Sequence, residues 1–124
     1  MDRNRAFCPV YYSIELLQEK WTLHIIRALL GGPLGFNELG RTVGANPSTL
    51  AQRLERLEAV GIVERTVHSV MPPRTSYALS CAGKELQGVI DALSGWATAH
   101  LTAPSERSRA TQPGREKSPS ARLG

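Results

Sequence analysis

Ser48, Thr49, Gln52, Arg53 and Arg56 fall within one short stretch, PSTLAQRLERLEAVGIVER (Pro47–Arg65). Their chemistry is that of hydrogen bonding. A Gln amide matches the N6/N7 edge of adenine, an Arg fork matches O6/N7 of guanine, and Ser or Thr hydroxyls take phosphates or base edges. At about 100° per residue, Leu50, Leu54 and Leu57 fall within about 60° of arc, the apolar stripe of a helix. Ser48, Gln52, Arg56 and Thr49 spread over roughly 160° to 260° from Leu50, with Arg53 flanking them at about 300°. This far face is what double-stranded DNA would meet. A solvated helix face carries similar residues, so the face alone leaves both readings open.

No other set of residues offers chemistry. Cys8 and Cys81 form no C-x-x-C pair and have no His at ligand spacing, so no zinc or other metal site is expected. His24, read as a packed histidine inside a buried helix, His68 and His100 stand apart from any nucleophile and acid in a catalytic arrangement. Gly31-Gly32-Pro33-Leu34-Gly35 lacks the spacing and the Lys of a phosphate loop. The expectation is a chain with no catalytic residues and no cofactor.

The flanking residues must hold the polar face in place. Asn46-Pro47 reads as a cap followed by Pro in the first turn, and Gly61 stops the helix near Val60. Upstream, Asn37 is a candidate cap for a shorter helix to about Val43, broken by Gly44. Phe36 before it is a short strand or an apolar anchor. Two helices joined by a glycine turn make a helix-turn-helix layout. Trp21 to Leu30 is apolar on most sides and reads as a buried helix ended by Gly31-Gly32-Pro33. Cys8-Pro9 starts a first helix with Tyr11, Ile14 and Leu17 on one side. Downstream, Ile62–His68 and Thr75–Leu79 alternate as strands around a Ser69–Pro73 loop, a hairpin with Arg74 near its tip. A hairpin directly after such a helix makes a wing, where Arg74 reaches backbone or minor groove. Ser80 caps one last long helix striped by Leu86, Val89, Ile90, Leu93 and Trp96.

Charge sharpens this picture. The net charge is +4, but residues 102–124 hold five basic and two acidic side chains, leaving 1–101 at only +1. Overall basicity is therefore weak evidence for nucleic acid, and placement has to carry the case. The Ser-, Pro- and Arg-rich stretch 102–124 buries too little to order itself and is expected to be a disordered basic tail. Residues 1–7 are expected to be a flexible arm, leaving 8–101 as one folded domain. No signal-like or membrane-spanning stretch is present, so a cytoplasmic protein without membrane contact is expected.

The ordered set Cys8-Pro9, Lys20-Trp21-Thr22, Phe36-Asn37-Glu38-Leu39, Thr49-Leu50, Gln52-Arg53-Leu54, Gly61, Pro72-Pro73, Tyr77 and Leu79-Ser80 resembles the HxlR family of winged-helix regulators. The resemblance spans about residues 8–101. It implies a mainly α fold with a small β-hairpin (α+β), a winged helix-turn-helix, homodimeric through its terminal helices. It further implies a sequence-specific DNA-binding transcriptional regulator, more often a repressor, with Pro47–Val60 in the major groove. Two copies would read an inverted-repeat operator with half-sites about 34 Å apart or a multiple of it. Two positions depart from the family habit: Leu34-Gly35 stand where basic residues are common, and Thr75-Ser76 where Val-Glu is common.

Cys8 matches the N-terminal cysteine that some HxlR-type regulators use to sense oxidants or quinones. Its place at a helix start, among free backbone N–H groups, suits a reactive thiol. The competing reading is a small apolar residue in a dimer interface. Cys81 is read as structural. Two alternatives to a thiol-switched regulator stay open: a winged helix that docks protein, and a regulator that takes a small ligand between the dimer helices. A protein-docking version would expose apolar side chains on the reading helix.

Overall fold

The computed structural model describes residues 7–102, and the readings placed on 1–6 and on 103–124 lie outside them. The chain divides into two compact units between Gln87 and Gly88.

The first unit begins with α1 (Pro9–Leu17), capped by Cys8 with Pro9 in its first turn. Leu16 and Leu17 pack against the core, while Tyr11 and Ile14 stay exposed. Next, α2 (Thr22–Leu30) starts after Trp21, not at it. Trp21 is the cap residue, in a left-handed conformation (φ 78°) that costs a non-glycine residue about 1 kcal/mol or more. Its half-buried ring packs against the core, with the Lys20 ammonium 5.1 Å from its centroid. His24 is exposed, against the expectation of a packed histidine. The buried stripe of α2 is Thr22, Ile25, Ile26 and Leu29, and position 24 falls off it.

Leu34–Gly35 form a short strand, β1, and α3 (Phe36–Val43) follows directly. The helix therefore begins two residues earlier than the Asn37 cap predicted. Gly35 is the cap, and the Glu38 carboxylate reaches back to accept from the Gly35 N–H at 3.2 Å. Gly44 closes α3 at φ 90°, a conformation that favours glycine. After a three-residue turn, α4 (Pro47–Ala59) runs to the left-handed Gly61.

The hairpin is longer and its turn tighter than expected. Strands β2 (Val63–Val70) and β3 (Pro73–Leu79) pair to their ends, Val70 opposite Pro73, so only Met71 and Pro72 bridge them. Pairing through the expected loop is possible because a bulge at His68 takes up the odd residue between Val67 and Ser69. The sheet order is β1-β3-β2, all antiparallel. Gly35 and Ser76, which belong to the two departures from family habit, are partners across the β1–β3 pair.

One core holds these elements: Ile25, Ile26 and Leu29 of α2, Leu39 of α3, Leu50, Leu54 and Leu57 of α4, Val63 of β2 and Leu79 of β3. Burying each such side chain contributes about 1.5–3 kcal/mol. The expected single last helix is broken. Ser80 caps a short α5 (Cys81–Lys84), its hydroxyl accepting from the Gly83 N–H, and α6 (Gln87–His100) starts afresh. Gly83 is buried against the Ile62 carbonyl with no room for a Cβ. The turn after it tightens, with the Leu86 N–H donating to the Gly83 carbonyl three residues back.

The second unit holds α6 from Gly88 onward. Along it Val89, Leu93 and Trp96 are exposed at helical spacing, and the Trp96 ring lies 5.5 Å from that of His100. No helix among the described residues is long and apolar enough to cross a membrane.

Candidate nucleic-acid interface

The reading face is built by what α4 buries. Leu50, Leu54 and Leu57 are essentially inaccessible, which turns Ser48, Gln52 and Arg56 outward. No large apolar side chain is exposed between Pro47 and Ala59. The Asn46 side chain accepts from the Thr49 N–H at 2.8 Å, fixing the first turn, and half-buried Thr49 sits beside the outward face.

The two guanidiniums are tied back to the chain. Arg53, half-buried, donates from Nε to the Lys20 carbonyl at 2.9 Å. Arg56 donates to Glu19 Oε2 at 3.2 Å. Each Arg carries five N–H donors, so most of each fork remains open. Spacing within α4 gives no sign of these anchors, because their partners lie in the turn between α1 and α2. Arg65 is likewise paired, to Glu58 at 3.4 Å.

Arg74 stands apart from the α4 residues, on β3 beside the wing turn and opposite Ser69, and is exposed. Ser48, Thr49, Gln52, Arg53 and Arg56 thus share one helix, and Arg74 belongs to a second element reached through Gly61. Asn37, considered from the sequence only as a helix cap, and Arg41, not singled out there, are both exposed on α3. They line a shallow cleft of about 260 Å³ with Phe36, Pro47 and Leu50, next to the start of α4. Their signal was their spacing of four residues on the side of α3 away from Leu39.

Tyr77, on β3 opposite Arg65 and Leu34, is half-buried with its ring 6.4 Å from Phe36. Burial pushes its phenol above the ordinary value of 10.0; the nearby Arg65 pulls the other way and Glu58 adds a little. The phenol is therefore neutral at any ordinary pH. Cys8 and Cys81 are both free and exposed. The ring of Phe7 stacks on Tyr12 at 5.0 Å across the start of α1, where Cys8 sits.

Residues 16–105 match the family described as HxlR-like helix-turn-helix. The chain belongs to this family. As an HxlR-like chain it is 36% identical over 87 residues to the HTH-type transcriptional regulator sll1512 of Synechocystis, covering 69% of this chain and 64% of that protein. It is also similar to the reduced form of the transcriptional regulator YodB from B. subtilis (34% identity, TM-score 0.68, 77% of this chain and 96% of that one). A third likeness is to the redox regulator HypR in its oxidised form (30% identity, TM-score 0.68, 77% and 100%). The HxlR-like fold, a winged helix-turn-helix with a small antiparallel sheet, is what the sequence predicted.

Proposed function

We propose that this chain is a homodimeric, sequence-specific transcriptional repressor whose α4 helices enter successive major grooves of an inverted-repeat operator. The observation that carries the reading is the polar, outward face of α4 joined directly to a wing that bears Arg74. In this reading Gln52 and Arg56 contact base edges, and Ser48, Thr49 and Arg53 support them or take phosphates. Arg41 and Asn37 of α3 take backbone phosphates beside the first turn of α4, whose N–H groups favour anions. A protein-docking winged helix would expose large apolar side chains on α4, and none is exposed there.

Dimerisation rests on the surfaces that α1 and α6 leave uncovered. Val10, Tyr11 and Ile14 on α1, and Val89, Leu93 and Trp96 on α6, are exposed apolar side chains that a second copy would bury.

Cys8 is the sensing residue in this proposal: an exposed free thiol at the head of α1, within reach of oxidants. The likenesses to the redox regulator HypR and to YodB, also solved in a diamide-treated form, support this role. The test is fluorescence anisotropy on duplexes selected from a random DNA pool, with the protein reduced and then diamide-treated. Competitor-resistant binding that weakens on oxidation, and no longer does so in Cys8→Ser, is the expected result. Binding no tighter than to random DNA would overturn the operator reading. An unchanged oxidation response in Cys8→Ser would remove the thiol switch alone.

A further inference from the structure

The wing turn is an unusual hairpin tip. Tight hairpins favour Asn, Asp and Gly at the turn. Here the tip reads Val70-Met71-Pro72-Pro73, with Val70 78% and Met71 86% exposed. Two successive prolines remove two backbone N–H donors, so the main chain of the tip has little with which to clamp phosphate oxygens. What the tip offers is apolar surface.

Its surroundings say what that surface fits. From Arg65 to Lys84 there is no carboxylate, while Arg74 stands exposed one residue past the prolines. A protruding apolar knob beside a cation, on a segment free of acids, complements a polyanion with an apolar interior. The minor groove of DNA is about 6 Å wide, too narrow for a β-ribbon but open to single side chains that project from its tip. Met and Pro are among the side chains that architectural proteins wedge between base steps, with Arg or Lys alongside in the groove.

Resting on the DNA-binding reading above, we propose that Met71, seconded by Val70, is a wedge. It enters the minor groove flanking each half-site and opens a base step, while Arg74 lies in the groove next to it. The wedge adds specificity without a base hydrogen bond. It favours operators that place a TA or CA/TG step under each wing, because pyrimidine–purine steps unstack most easily.

Every such step contains a thymine, and an unstacked thymine reacts with permanganate. The experiment takes the full chain on a duplex selected from a random pool and maps permanganate-reactive thymines for the wild type, Val70→Ser/Met71→Ser and Met71→Leu. The wild type should expose a reactive thymine outside each α4 footprint. The serine variant should lose that signal and about tenfold in affinity, while keeping guanine protection in the major groove. Met71→Leu, still apolar, should keep both. A bound duplex without reactive thymines, or a signal that survives the serine substitutions, overturns the wedge and leaves the DNA-binding reading standing; the exposed tip would then be a protein contact. Recovery of no bound duplex at all overturns both.

Discussion

Arg53 Nε lies 2.9 Å from the carbonyl oxygen of Lys20, 33 residues earlier in the chain. The bond fastens the middle of α4 to the turn before α2, so Arg53 is an anchor as well as a candidate DNA contact. Arg53→Lys keeps the charge but loses the planar donor. It should lower unfolding stability by about 1 kcal/mol, the usual worth of one hydrogen bond. Thermal unfolding without DNA checks this, and an unchanged midpoint would leave Arg53 with no anchoring role.

Gln52 and Arg74 should fail differently. Gln52→Ala should cost about 1–3 kcal/mol of discrimination at one operator position if the amide bonds a base bidentately. Arg74→Ala should weaken binding to all sequences and lower the salt-dependence slope by about 1. Titrations against single-base operator variants at several salt concentrations separate the two. Equal losses on specific and random DNA for Gln52→Ala would contradict its assignment.

Gly83 and Gly88 make a second contrast. A Cβ at Gly83 meets the Ile62 carbonyl and lies 3.0 Å from a Leu79 methyl, whereas among the described residues nothing lies within 4 Å of one at Gly88. Gly83→Ala should destabilise the protein by about 1–3 kcal/mol through overpacking. Gly88→Ala, on an open helical position, should be neutral or stabilising by up to about 1 kcal/mol. Denaturant unfolding of both variants is the check.

Tyr77 sets an alkaline limit. Its phenol is raised above 10.0 in the folded chain, chiefly by burial, so between the unfolded and folded values the native state holds the extra proton. Its contribution is fully present below pH 10 and is lost as pH rises through the folded value. Tyr77→Phe should therefore flatten the fall in stability above pH 10, measured by denaturant midpoints across pH. An identical slope in the variant would assign that fall to other groups.

The parts legible in the sequence were those set by local chemistry. Asn46-Pro47, the leucines at 50, 54 and 57 and Gly61 define α4 within a few residues of one another, and α4 is where they place it. What stayed hidden depends on partners distant in sequence. The anchors of Arg53 and Arg56 lie 33 and 37 residues away. The break after α5 lies beside Gly83, which seats on Ile62 across the whole hairpin, a contact that helical spacing does not show. His24 misled because its neighbours are apolar, although its own position falls off the buried stripe. At the wing, strand propensity stopped short of the tip because a bulge, invisible to alternation, carries the pairing onward to Val70 and Pro73.

Cys8 and Glu19 bracket α1, the thiol at its head and the Arg56-bonded carboxylate just past its end, with the Arg53-bonded Lys20 next to it. The nine-residue rod between them is about 14 Å long. In the proposed switch, a displacement at the thiol end would reach α4 both through these two surface couplings and through Leu16 and Leu17, which seat α1 on the core, so α1 would act as a push-rod. On that proposal a small travel of α1 would be enough to turn α4 out of alignment with a groove.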